Sequence, residues 1–162
     1  MMGHIKIGAI LALGLMTAAC GFQPLYADPH VAGGMRAIAI TTPQTRTGYL
    51  LREELSDELA VNRDLTPKYK LNVAIAERRR PRGLNPDDTP TRYELRLDVT
   101  YTLTEIEGGK VLLKQTRPVL VSSDAVVQPY ASIASQEDSE QRAASSAAVI
   151  IRTDVALALQ GK

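Results

Sequence analysis

The side chains best equipped for chemistry in this sequence are arginines. Arg78, Arg79, Arg80 and Arg82 crowd into one short stretch, and Arg92 follows a few residues later. A guanidinium group offers forked, permanently charged donors that match the oxygens of phosphate and carboxylate. The cluster reads as a candidate anion site, with a charged loop kept in solution as the plainer alternative. Asp87 and Asp88 lie between these arginines and Arg92. Adjacent carboxylates in a Pro-rich turn do not hold the separation that acid–base catalysis needs, so they read as a solvated turn. The remaining candidates are few: His4, His30 and the single cysteine, Cys20. That inventory argues against a zinc site, a disulfide framework and His-dependent catalysis. No Gly-rich phosphate loop is present either. The expectation is a chain that is not an enzyme and takes no metal and no cofactor. With no aromatic residues interleaved among the arginines, nucleic acid is not an expected partner.

Cys20 gains meaning from what precedes it. His4 and Lys6 give a weakly basic start, and Ile7 to Ala19 then runs without a charge. This run is too short to cross a hydrocarbon core of about 30 Å, which takes roughly twenty residues. It suits the apolar region of an export signal, residues 1–19, better than a short membrane anchor or a buried helix. The segment Leu15-Met16-Thr17-Ala18-Ala19-Cys20-Gly21 resembles a bacterial lipoprotein signal. There, small residues admit the peptidase and the thiol carries a diacylglycerol. Each buried CH₂ contributes about 0.8 kcal/mol, so two or three acyl chains anchor stably where one is marginal. Loss of the signal leaves 18 of the 19 basic side chains against 18 acidic ones. A neutral chain has no global pull on polyanions, so an anion site must come from local clustering.

These candidates need a scaffold. Apolar residues make up 44% of the chain, with one Phe, six Tyr and no Trp. The core must therefore be aliphatic, and the length fits one domain. Residues 20–34, rich in Pro and Gly, read as a lipidated tether, and 35–162 as a single domain. A short strand is expected over Met35–Thr41, ended by Pro43. Leu51, Leu55 and Leu59 recur every four residues and predict a helix over Thr47–Val61, capped by Thr45 or Thr47. Tyr69, Leu71, Val73 and Ile75 alternate with polar partners and predict a strand over Lys68–Ala76. Tyr93, Leu95, Leu97, Val99, Tyr101 and Leu103 do the same in the clearest strand of the chain. Glu107-Gly108-Gly109-Lys110 predicts a hairpin to a strand over Val111–Ser122, where Pro118 implies a bulge or an edge position. A last helix is expected over 135–159, with Ser135 and Asp138 resembling a capping box. The arginines fall in the loop between the second and third strands. The order β-α-β-β-β-α, with one-sided strands, predicts an α/β two-layer sandwich. Its four-stranded mixed sheet would carry both helices on one face and water on the other.

The segment after the signal is more specific. Cys20-Gly21-Phe22-Gln23-Pro24-Leu25-Tyr26 resembles the start of the LptE-type lipopolysaccharide-assembly lipoproteins, in which the acylated Cys leads into a Gly-Phe-x-Pro-Leu-Tyr segment. The likeness continues along the chain as element order. It implies a lipoprotein of the outer membrane on its periplasmic side, and Gly21 after the Cys is similar to the sorting signal of enterobacterial outer-membrane lipoproteins. It further implies a partner, an LptD-type β-barrel, whose lumen the domain plugs and whose assembly it assists. Delivery of lipopolysaccharide to the outer leaflet is the implied function, and the phosphates of lipid A would suit Arg78, Arg79, Arg80, Arg82 and Arg92. Phe22 and Tyr26 could sit at the membrane boundary or pack the tether onto the domain. The alternative reading is a lipid-anchored accessory lipoprotein of another envelope system, such as a transporter's auxiliary subunit.

Mass spectrometry of the mature N terminus is expected to find Cys20 carrying acyl chains. An unmodified thiol at that position would refute anchoring.

Overall fold

The computed structural model describes residues 28–161 of the 162; Cys20, its signal and the Gly-Phe-x-Pro-Leu-Tyr segment lie outside them. The first element is a helix, α1 (Pro29–Arg36), that the composition conceals. Asp28 caps it by accepting a hydrogen bond from the His30 backbone N–H at 2.8 Å, and Pro29 stands at the first helical position, where a missing N–H costs nothing. Val31, Gly34 and Met35 are buried, and a Cβ on Gly34 would stand 3.1 Å from a Leu159 methyl. The glycine there serves close approach to the C-terminal helix. The expected tether boundary at 34/35 thus falls inside a packed helix, and the strand expected from Met35 begins at Ile38.

Strand β1 (Ile38–Thr41) leads into α2 (Arg46–Glu58). Of the two capping candidates, Thr45 is the one used: its hydroxyl accepts from Gly48 N–H at 3.1 Å. Thr47 is buried inside the first turn and donates to Glu77 at 2.7 Å. Two long strands follow, β2 (Tyr69–Leu84) and β3 (Pro90–Glu105), then β4 (Val111–Asp124). The sheet order is β1-β2-β3-β4, with β1 parallel to β2 and the other pairs antiparallel. Chain crossover through α2 supplies the parallel pair. The Gly108–Gly109 turn is where expected, with both glycines at positive φ. Pro118 lies on an edge strand, and the register shift falls elsewhere, at Leu103/Thr104.

The chain closes with α3 (Pro129–Gln160), which starts earlier than predicted. Ser135 and Asp138 are therefore inside the helix and cap nothing. The Ser135 carbonyl accepts from the Ser139 hydroxyl, and Asp138 pairs with Arg142 at 2.8 Å. The fold is thus the predicted α/β two-layer sandwich with a four-stranded mixed sheet, backed by three helices where two were expected. Leu71, Leu97, Val99 and Leu103 of the sheet, with Leu51, Leu55 and Leu59 of α2 and Ala144, Ala148, Ile151 and Val155 of α3, form one buried cluster. Each fully buried Leu, Ile or Val contributes about 1.5–3 kcal/mol.

A polar group enters this core at Tyr101. Tyr101 is fully buried, and its hydroxyl donates to Asp154 on α3. Arg117 of β4 donates to the same carboxylate at 3.1 Å. Burial, and then the hydrogen bond to the carboxylate, push the Tyr101 phenol up to about 12. Burial pulls the Asp154 carboxyl upward, but the hydrogen bonds from Tyr101 and Arg117 outweigh it and hold the group below its ordinary value. A carboxyl depressed in the folded state stabilises the fold above its unfolded pKa, and that contribution is lost as pH falls through the folded value. Asp154→Asn is accordingly expected to cost about 1–3 kcal/mol at neutral pH. Below about pH 4 the melting temperature of the wild type should fall more steeply than that of the variant; parallel melting curves across that range would contradict the account.

Candidate anion-binding face

The arginines expected in a loop are in strands. β2 continues past Ala76 through Leu84, so Arg78, Arg79, Arg80 and Arg82 belong to a ladder with β3, and only residues 85–89 form the connecting turn. β1 stops pairing at Asn72, which leaves the rest of β2 as an edge strand. That is why Pro81 is tolerated. Gly83, at φ 69°, lies across from Thr91 in unbroken register, and a Cβ there would lie 2.5 Å from the Thr91 hydroxyl. The positive φ and the close approach both call for a glycine.

Pleat alternation then sorts the arginines. Arg78 faces Arg96, Arg80 faces Glu94 and Arg82 faces Arg92, all on the side of the sheet away from the helices. Arg78, Arg80, Arg82, Glu94 and Arg96 line a shallow hollow of about 130 Å³. Arg79 turns to the opposite side. Its guanidinium stacks 4.2 Å above the Tyr93 ring and donates to Gln136 of α3 at 2.7 Å. It therefore ties the hairpin to the helix and leaves the cluster. Arg96 takes its place, a residue that sequence reasoning does not link to the others. Pairing β2 and β3 outward from the 85–89 turn is the signal that would have found it.

Charge pairing divides the group again. Arg82 meets Glu94 at 3.0 Å, Arg92 meets Asp124 at 3.4 Å, and Arg96 grips Asp98 through two donors, at 2.9 and 3.0 Å. The Arg96 hydrogen bonds hold the Asp98 carboxyl below the usual carboxylate range. Among the described residues, Arg78 and Arg80 make no such close ion pair, although the Arg78 charge also helps to lower Asp98. Two residues apart on one strand, they stand about 6.6 Å from each other, and Arg96 lies directly across from Arg78. Leu120, opposite Arg96 on the same face, is 56% exposed. Free guanidinium donors beside an exposed aliphatic side chain can engage a ligand with both an anionic and an apolar part.

The other candidates do not join this face. Asp87 accepts from the Thr89 hydroxyl at 2.7 Å and from the Thr89 backbone at 3.2 Å, which lowers its carboxyl and closes the turn. His30 is exposed on α1. No group of His, Cys, Asp and Glu suited to a metal ion occurs among the described residues.

Residues 35–155 match the family model LptE, described as lipopolysaccharide-assembly. Among solved structures, a protein of Caulobacter crescentus CB15 assigned to the lipoproteins is 39% identical, with a TM-score of 0.70 over 81% of this chain and 96% of that one. A minor lipoprotein of Acinetobacter baumannii shares the fold at 19% identity, TM-score 0.57, over 76% and 92% of the two chains. An uncharacterized lipoprotein B of Nitrosomonas europaea does so at 15% identity, TM-score 0.55, over 74% and 81%. No curated protein matches the chain significantly.

The two roles of neighbouring arginines separate by melting temperature. Arg79→Ala should lower stability by about 0.5–1 kcal/mol through loss of the ring contact. Arg78→Ser with Arg80→Ser should stay within about 0.5 kcal/mol of the wild type. Equal losses in the two variants would contradict this division.

Proposed function

The chain belongs to the LptE lipopolysaccharide-assembly family, and from that membership we propose that it is a non-enzymatic lipoprotein of the outer membrane, held on the periplasmic side by an acylated Cys20. In this reading it plugs and helps assemble an LptD-type β-barrel and assists delivery of lipopolysaccharide to the outer leaflet. The observation that carries the ligand half of the proposal is the outward sheet face. Among the described residues, Arg78 and Arg80 present cations there that no close ion pair occupies, with Arg96 and exposed Leu120 beside them. Lipid A joins phosphates to acyl chains, and this face joins forked phosphate donors to an apolar neighbour. Arg82 and Arg92 contribute from their carboxylate pairs at the rim, while Arg79 contributes only by fixing the hairpin.

The barrel half has a physical basis as well. The lumen of a membrane barrel is lined by polar side chains. The domain offers a matching surface, because the sheet side away from the helices carries Lys70, Asn72, Thr100, Thr102 and Thr116 as well as the arginines. Hydrogen bonds and ion pairs can seat such a surface in a polar lumen without burying an unpaired group.

Affinity purification of the native chain in mild detergent should recover a β-barrel of much larger mass in near-equal amount. Recovery of inner-membrane transporter subunits instead would overturn the barrel reading. Lipopolysaccharide binding by the Arg78→Ser, Arg80→Ser double variant should weaken about tenfold, with a shallower salt dependence. Unchanged binding at low and physiological salt would remove the site.

A further inference from the structure

A second set of arginines lacks partners at the other end of the sheet. Beside β1 lies a groove of about 380 Å³ whose walls carry Arg36, Arg52 and Arg63 and no carboxylate. All three guanidinium side chains are exposed. Among the described residues none of them pairs with an acid. Ile40 and Leu65 give the groove apolar surface, while the Ile38 side chain itself is buried in the core. A second hollow of about 330 Å³ lies along the β1–α2 connection, past the end of β1, and shares Arg52 with the first. Together they follow the line of the strand.

Among the described residues that strand is a free edge of the sheet, with β2 as its one neighbour. The Ala37 carbonyl accepts from Tyr69 N–H at 3.2 Å and so faces β2. In a parallel ladder successive residues direct their backbone groups to opposite sides, so Ala39 faces β2 as well. The N–H and C=O of Ile38 and Ile40 are left pointing to the open side. An uncovered edge of this kind is a template for a further strand. Its neighbours are cations rather than the mixed charges that would repel any newcomer equally.

We propose that β1 is a docking edge for an extended acidic segment of a partner protein, which adds as a strand beside Ile38–Thr41 and places its carboxylates on Arg36, Arg52 and Arg63. Main-chain hydrogen bonds supply affinity in strand addition and the side-chain pockets supply selectivity. The apolar surface takes aliphatic side chains from alternate positions of the incoming strand. A compact phosphate would occupy one end of so long a trough and leave the strand edge unused.

The test uses the full mature chain in non-ionic detergent and a fluorescein-labelled octapeptide alternating Glu and Val. Its Lys–Val counterpart, inorganic phosphate and phosphatidylglycerol vesicles are the comparisons. Anisotropy should show binding of the acidic peptide alone, and hydrogen exchange should slow at the Ile38 and Ile40 amides when it binds. Arg36→Ser, Arg52→Ser, Arg63→Ser together should weaken the peptide at least about tenfold. The Arg78→Ser, Arg80→Ser variant should bind it unchanged, which separates this site from the lipopolysaccharide face. Ile40→Pro removes one outward N–H while keeping every charge, and should abolish the peptide with melting behaviour as the control for folding. Peptide binding without amide protection would overturn strand addition in favour of simple charge attraction. Vesicle or phosphate binding that the arginine variant loses, with no peptide binding, would assign the groove to an anionic headgroup instead. Absence of all binding would end the proposal.

Discussion

Alternation along β2 and β3 governs the rest of the structure. One set of side chains, Tyr69, Leu71, Val73 on β2 and Leu95, Leu97, Val99, Tyr101, Leu103 on β3, is driven under the helices by the loss of apolar surface from water. The intervening set is thereby forced outward, and it contains Lys70, Arg78, Arg80, Arg82, Arg92 and Arg96. A slip of one residue would bury the charges and expose the leucines, so the register is fixed by the core. The arginine-rich outer face is a consequence of the same burial. Beyond Ala76 the core contributes little, yet the register set further down the ladder persists to the hairpin tip.

Closure of the buried face depends on small side chains. Ala143, Ala144, Ala147 and Ala148 line the inward surface of α3, which lets the helix lie close over a sheet built mainly of aliphatic residues. Such a core lacks the bulk that aromatic rings provide, and Tyr101 is the largest side chain wholly inside it. A buried phenol without a partner is costly. Asp154 accepts its hydrogen bond, and Arg117 balances the charge that the carboxylate brings. This three-residue contact fixes the azimuth of α3 over β3 and β4. Arg46, reaching Glu140 at 3.0 Å, does the corresponding job between α2 and α3. These contacts hold the helices to the sheet by chemistry that the alanine stripe alone could not specify.

Period and alternation made most of this legible in advance. Leu51, Leu55 and Leu59 marked α2, and the six alternations from Tyr93 to Leu103 marked β3, because both segments bury one face only. The segments that escaped do not show that signature. α1 hides behind Pro29, Gly33 and Gly34, and α3 begins before its apolar stripe does: Tyr130 and Ile133 are 89% and 59% exposed. The upper half of β2 is wet on most of its surface, so hydrophobic periodicity had nothing to report there. For the site, the residue types were legible and their arrangement was not. Side-chain direction depends on whether Arg79 sits in a loop or a ladder, and Arg96 becomes a neighbour only once the hairpin register is known.

The pattern of arginine pairing is where fold and function meet. Arg46, Arg82, Arg92, Arg96, Arg117, Arg142 and Arg152 each contact a carboxylate, and Arg79 is taken up by Tyr93 and Gln136. Those left over are not scattered. Arg78 and Arg80 fall on the outer face of the hairpin, and Arg36, Arg52 and Arg63 fall around the β1 edge. β1 pairs with the first residues of β2, from Tyr69 onward, while Arg78 lies far along the same strand. At a strand rise of about 3.3 Å per residue, Arg78 is roughly 30 Å from the Ile38 end of that edge and roughly 20 Å from its Thr41 end. Both exceed the screening length of about 8–10 Å at physiological salt, the nearer by about twofold. An anion bound at one cluster therefore leaves the potential at the other nearly unchanged. In a chain of balanced charge, this spacing would let the two proposed anion sites act independently, one toward each end of β2.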